Sequence, residues 1–452
     1  MTNKEYYDLL FKLEDKYKLY DIKFKNKFSV WSGYRNYFEA YDLRFKGVYS
    51  DSVEIIRLNM DYLKKYLKLL LKGNIFKLFS QRSKYIVLEH PRSNKDGEDI
   101  YTYDIKQHLD NYMSLSFSVG FSGLRKKTIY LDTYKICAKI FAKLFKNFLS
   151  NSRFEKYQMF LNELNSHQLL FMGFKEYYLE FIFMYYFYRL VFMFHKPLAV
   201  FSVVYYENIA FIAAAKSLNI PTVELQHGVI YPYHFGYSYP YSSKNFIGCF
   251  PDYICLLSDY WKKDISYPEQ STLLLLGNDF LVHKNNTIHR DDKTISIISQ
   301  GIIGSYLVDF IYKNINDLYR YKIYFKLHPS DVNIWKDKYP RLNKLNEKYE
   351  NLYVITNEIN LEELQAKSKF QMGVFSTAIY EGIDSGCITF LLNINGVEAM
   401  ENLIKLKKVI LVEMEDNMID YLKTSEKNYQ ATSKFFKKFD ELVFEKLLNK
   451  IS

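Results

Sequence analysis

An apolar, β-prone run from Pro221 to Leu225 stops abruptly at Gln226, His227 and Gly228. An imidazole and a glycine therefore sit at the carboxyl end of a strand, the end at which open α/β sheets bind ligands. Imidazole exchanges protons or donates to an anion near neutral pH, and glycine lets the backbone turn and approach a ligand closely. Two further strand ends carry similar punctuation. The run Lys322 to Leu327 ends at His328 and Pro329, where the proline fixes its own φ and stiffens the turn that carries the ring. The run Phe370 to Phe375 ends at Ser376 and Thr377, just before a helix from Ala378. Hydroxyls in that position cap helices, and the same free N–H groups at the positive end of the helix dipole make an anion site. Glu381 lies one turn into this helix, placed either to accept from a ribose or simply as an early-turn acid favoured by the dipole. Gln300 and Gly301, in the loop Ser299 to Ser305, suit a covering over a ligand.

Among the elements that carry these ends, the first 80 residues read as mostly helical, with helical spacing over Tyr6–Leu19 and Leu58–Phe79. A strand follows at Tyr85–Leu88, then helical material to about Phe194. Leu198–Tyr206 and Pro221–Leu225 read as strands around an alanine-rich helix, Glu207–Leu218, a βαβ unit that implies a parallel sheet. Short strands are expected at Asp252–Leu257 and Thr272–Leu276. After a polar stretch the alternation restarts from Thr294 and runs through five strands to Leu392. The expected division is 1–282, a first α/β domain with a helical start; 283–293, a linker; 294–417, a second α/β domain; and 418–452, a helical, lysine-rich tail.

Hydrophobic residues make up 48% of the 452 residues and charged residues 25%, so the chain folds rather than remaining disordered. The 61 Lys and Arg outnumber the 51 Asp and Glu, which favours anionic partners: a phospholipid surface, a sugar nucleotide or a nucleic acid. Cys137, Cys249, Cys255 and Cys387 lack CxxC spacing and fit a reducing cytoplasm rather than zinc or a disulfide framework. The charged amino terminus has no signal-peptide core. Lys175, Glu176, Glu180 and Arg189 interrupt the apolar stretch Leu169–Phe194 before about 18 apolar residues accumulate, so it reads as a buried helix rather than a membrane span.

Taken as an ordered set, His328-Pro329 followed about 50 residues later by a hydroxyl pair at a strand-to-helix turn resembles bacterial GT-B glycosyltransferases that use CMP-activated sugars, including sialyl- and polysialyltransferases. The segments Leu88–Arg92, Asp99–Thr102, Glu224–Gly228 and His234–Tyr237 are similar to stretches of capsule and lipopolysaccharide glycosyltransferases. The resemblance implies an α/β, GT-B-like fold: two Rossmann-type, doubly wound domains facing each other across a cleft. It implies a sugar transferred from a nucleotide-activated, CMP-linked donor to a cell-surface glycan or lipid-linked acceptor, at the inner face of the cytoplasmic membrane, without metal or cofactor. His328, Pro329, Ser376, Thr377, Glu381, Gln300 and Gly301 would hold the donor; Arg92, Tyr101, Gln226 and His234 the acceptor. Deprotonation of the acceptor hydroxyl falls to His227, Glu207 or Glu89, with His227 first because imidazole works at neutral pH untuned. Teichoic-acid polyol-phosphate transferases share the HG and HP signatures, but usually carry an acid after the hydroxyl pair where this chain has Ala378. A sugar-nucleotide 2-epimerase shares the architecture, and a basic RNA-binding protein is suggested by charge alone, without an RNP or zinc-knuckle signature to support it.

Overall fold

The structure, a computed structural model, describes residues 3–46, 75–92, 97–117, 125, 127–240, 247–262, 271–282, 290–301, 303–356, 358–425 and 434–451. Two parallel sheets dominate it. The first is built from β1 (Tyr85–Leu88), β2 (Tyr112–Ser116), β3 (Thr128–Tyr130), β4 (Ala199–Val203), β5 (Thr222–Leu225), β6 (Tyr253–Leu256) and β7 (Thr272–Leu275), in the spatial order β3-β2-β1-β4-β5-β6-β7. The second contains β8 (Asp291–Ile298), β9 (Lys322–Lys326), β10 (Leu352–Ile355), β11 (Ser368–Gly373), β12 (Ile388–Leu392) and β13 (Ile410–Val412), ordered β10-β9-β8-β11-β12-β13. Every pairing in both sheets is parallel. Strands covered on both faces read as unbroken apolar runs, which is why β1, β4 and β12 are buried along their whole length.

Both orders reverse direction beside their first strand, between β1 and β4 in one sheet and between β8 and β11 in the other. Crossovers diverge there and leave a crevice outside the carboxyl ends of the strands. The doubly wound, GT-B-like α/β expectation is met by this pair of sheets.

Helices complete the layers. α1 (Asn3–Lys16) and α2 (Trp31–Phe45) carry the buried Glu14 and Arg35; α3 (Asp132–Phe145) packs on α4 (Leu169–His195), and α4 on α5 (Ile209–Lys216). Much of the aromatic excess is consumed here, where Trp31 packs against Tyr34, Phe38, Tyr157, Phe160 and Phe174. Three of the charges within α4 have polar partners: Lys175 donates to Leu149 O and Asn151 Oδ1, Glu176 meets Lys146, and Arg189 donates to Ser217 Oγ. Among the described residues no helix is long and apolar enough to cross a membrane. In the second unit α6 (Gly304–Asn314) follows β8 and α7 (Thr377–Ser385) follows β11; the chain then returns to the first sheet, where α8 (Glu441–Ile451) sets Phe444 beside Phe201 of β4.

Four sequence expectations are corrected by the structure or fall partly outside the described residues. β2 and β3 lie in the stretch read as helical; both are short and bracketed by helical segments, so neither periodicity dominates. The helix expected from Glu207 begins at Ile209, because Tyr205–Glu207 form a separate 3-10 turn. The linker expected at 283–293 lies outside the described residues up to 289, and Asp291–Lys293 already belong to β8. The helix expected at Leu58–Phe79 lies outside the described residues up to 74, and Ile75–Phe79 is a 3-10 turn.

Candidate functional site

The carboxyl ends of β1 and β5 bring together a ring cluster that the sequence scatters over some 140 positions. His90 and His227 lie 5.3 Å apart between ring centres, Tyr101 stands 5.3 Å from His90 and 6.0 Å from His227, and Tyr206 lies 6.3 Å from His227 and 5.1 Å from His234. Burial pushes all three imidazoles down: His227 to about 4, with Arg92 as the second cause, and His90 and His234 each to about 3, with His227 as the second cause. The cluster is therefore neutral. Nδ1 of His227 is buried without a hydrogen-bond partner, so a lone pair or an N–H stands ready for a ligand.

Neutral histidines tie stability to pH. The unfolded chain takes up protons near 6.5 while the folded one refuses them until about 4 or 3, so stability present above pH 6.5 is lost as pH falls through that window, at up to about 1.4 kcal/mol per pH unit for each ring. His234→Asn should remove one ring's share of that slope, measured by denaturant unfolding between pH 7 and 4.5. An unchanged slope would refute the assignment. The buried carboxyls Asp99 and Glu224, raised by burial to about 7 and about 8, act in the opposite sense in both proteins and cancel in the comparison.

Other residues expected here hold the site's shape. Gln226 is buried, its Nε2 donating to Gly228 O at 2.8 Å and its Oε1 accepting from Leu257 N at 3.0 Å, so it braces the His-Gly turn. Glu89 accepts from Lys106 at 2.8 Å, Arg125 at 2.7 Å and Thr128 at 3.1 Å; burial alone would raise its pKa, but the two cations outweigh it and hold it below the ordinary value. A carboxylate locked in this way is an anchor and a poor base. Glu207 is exposed, on the 3-10 turn after β4, with Lys135 as its cationic neighbour. His234 accepts from Gly236 N at 3.0 Å and so pins its own loop. Asp99, which no spacing argument singled out, accepts from His90 N, Tyr101 N and Thr102 Oγ1 and organises the whole turn after β1.

The second unit presents its own strand ends to this cluster. Ser376 is the N-cap of α7, with Oγ accepting from Ala378 N at 3.2 Å, the capping role that its position favoured. Thr377 is the residue that reaches across: a Cβ placed on Gly228 would lie 3.1 Å from Thr377 Oγ1, so only a hydrogen-sized group fits without adjustment where the units meet. Beside it, at the end of β8, Ser299 Oγ and Gln300 Oε1 are buried and unpartnered. His328 stands at the surface after β9, its Nδ1 2.7 Å from Ser330 Oγ, with Pro329 beyond it. Ser330 donates to Asp331, which accepts from Lys338 and Tyr339, and Lys338 also donates to Gly301 O at 2.7 Å. The Gln300-Gly301 loop and the His-Pro turn are thus one network, with Lys338 a cation that the sequence did not point to.

Across the cleft Arg92 donates to Glu381 through both Nη1 and Nη2 at 3.1 Å, and to Tyr101 Oη at 3.2 Å. Arg92 was expected to grip an acceptor and Glu381 a ribose; here each holds the other and joins the two units.

No protein-family model matches the chain, and no curated protein is significantly similar to it. Solved structures similar to it include the UDP-GlcNAc 2-epimerase of Methanocaldococcus jannaschii, at 12% identity over 82% of this chain and 99% of that one, with a TM-score of 0.48. The UDP-GlcNAc 2-epimerase of Neisseria meningitidis bound to UDP-GlcNAc is 13% identical over 81% and 99%, with a TM-score of 0.46. Acinetobacter baumannii MurG is 9% identical over 81% and 99%, with a TM-score of 0.44. Likeness this slight carries nothing about substrate, and the fold assignment stands on the two strand orders.

Proposed function

We propose that the chain is a glycosyltransferase that moves a sugar from a nucleotide-activated donor to a cell-surface glycan or lipid-linked acceptor at the cytoplasmic face of the membrane. The supporting observation is the meeting of two carboxyl-end edges: the His227-Gly228 turn of the first sheet opposite Thr377 and the amino end of α7 in the second. Amides at a helix start and the Thr377 hydroxyl suit the phosphate of a departing nucleotide, while a neutral imidazole on the opposite edge suits the incoming hydroxyl. The donor lies on the second unit, held by His328, Gln300, Gly301 and Thr377. A CMP-sugar is the first donor to test, on the spacing of the His-Pro and Ser-Thr pairs. Binding must exchange the Arg92–Glu381 pair for contacts to the ligand, with Arg92 turning to phosphate or an acidic sugar and Glu381 to ribose hydroxyls.

His328→Ala should weaken nucleotide binding by about 1–3 kcal/mol, read by calorimetry with CMP, UDP and GDP. Equal affinity in variant and parent for whichever nucleotide binds would remove the donor-site assignment. Acceptor dependence decides the reaction: a transferase releases nucleotide only when an acceptor hydroxyl is present, whereas an epimerase converts the sugar nucleotide with none.

A further inference from the structure

The helix α3 is turned inside out. Its residues Ala138 and Ala142 face the core at 0% exposure, while Ile140, Leu144 and Phe145 are 46%, 64% and 44% exposed, and Phe148, in the 3-10 turn that continues the helix, is 82% exposed. A helix that merely packs on α4 and meets water elsewhere does the reverse, burying its large apolar side chains and exposing small or polar ones. The rings that do reach α4, Phe141 to Phe183 at 5.8 Å and Tyr134 to Phe187 at 4.0 Å, secure the helix without covering its outer stripe. Lys139 and Lys143 stand exposed one turn apart beside that stripe, and between 132 and 148 the only acid is Asp132, against four lysines.

We propose that this face of α3, with Phe148, is the surface by which the protein lies in an anionic phospholipid bilayer. Large apolar side chains projecting from a lysine-flanked helix sink to the level of the acyl boundary while the ammonium groups remain among phosphates. Charge complementarity selects lipid over a second copy, because an isologous contact through this face would bring Lys139 and Lys143 of both copies together. The inference rests on the exposed face. It adds to the transferase reading only the route by which a lipid-linked acceptor is reached, so the two can fail separately.

The test uses the full chain. Phe148→Trp should show a blue-shifted emission with phosphatidylglycerol vesicles, read against the parent protein, and no shift with phosphatidylcholine vesicles. Leu144→Glu combined with Phe148→Glu should lower vesicle partition at least tenfold, and each of Lys139→Gln and Lys143→Gln about fivefold, all without lowering the melting temperature, since these positions are exposed. The proposal is overturned if Phe148→Trp is blind to anionic vesicles or if the double glutamate variant partitions like the parent. It is also overturned if the protein forms a concentration-dependent dimer that Phe148→Glu dissolves, which would make a second copy the occupant. Vesicle binding lost with nucleotide affinity intact locates the effect in α3; nucleotide affinity absent in a protein that still binds vesicles removes the transferase reading and leaves this one.

Discussion

His227→Ala is expected to reduce turnover about 10²–10⁴-fold, the range for losing a general acid or base, while leaving the melting temperature and nucleotide affinity close to those of the parent. Its Nδ1 makes no hydrogen bond to the protein, so the fold loses mainly ring contacts with His90, Tyr101 and Tyr206 when the side chain goes. The imidazole is a weak base, depressed to about 4 by burial and then by Arg92. Under the proposed transferase reading, a nucleotide phosphate at Thr377 would supply the opposite charge and compete for Arg92, and both changes would raise the His227 pKa back toward neutrality. Turnover, melting temperature and nucleotide affinity measured on one preparation decide the matter. A fall in stability that tracks the fall in activity would make the ring a brace for the loop Tyr231–Pro240. Full activity in a stable variant would pass the role to Glu207, because Glu89 is already held by Lys106 and Arg125.

Glu14→Ala is expected to cost about 3–5 kcal/mol of stability, the scale of stranding a buried charge. Glu14 and Arg35 are both 0% exposed, and the carboxylate is saturated by Arg35 Nε at 2.8 Å, Arg35 Nη2 at 2.7 Å, Trp31 Nε1 at 2.7 Å and Tyr20 Oη at 3.2 Å. Arg35 in turn donates through Nη1 to Phe235 O at 2.7 Å and Ser238 O at 2.6 Å, the loop that follows the His-Gly turn. Loss of the carboxylate leaves a buried guanidinium with carbonyl oxygens and the faces of Phe11, Tyr20, Phe235 and Tyr239 but no counter-charge. Denaturant unfolding reads the loss directly, and Arg35→Met added to Glu14→Ala should recover part of it. A cost below about 1 kcal/mol would mean that water or a shifted side chain reaches Arg35, contrary to its burial.

What the sequence revealed follows from which signals are local. β4, β5 and β8 were readable because strands covered on both faces need apolar residues along their length, and the alternation from Thr294 onward showed a second parallel sheet for the same reason. The strand-end positions of His227, His328 and Thr377 were legible because the end of an apolar run is a local feature that a sequence displays. Pairings between distant segments were not legible. Arg92 and Glu381 are 289 positions apart, and each alone looked available to a substrate. Gln226 looked like a binding residue until its amide was seen to brace Gly228 and Leu257, and His90, read only within the segment Leu88–Arg92, was not singled out because its place beside His227 depends on β1 lying two places from β5 in the sheet.

The return of the chain after the second sheet has a mechanical consequence. Residues 434–440 lie along the first unit, with Lys437 N donating to Leu257 O, Asn278 N to Lys437 O and Asp440 N to Leu276 O, while Asp384 of α7 still accepts from Phe435 N and Phe436 N. The polypeptide therefore passes between the units twice, once before β8 and once before Phe435. Two connections hold the second unit where one would leave it free to drift, so separating the edges that bear His227 and Thr377 has to draw on both and on the hydrogen bonds that pin residues 434–440 to the first unit.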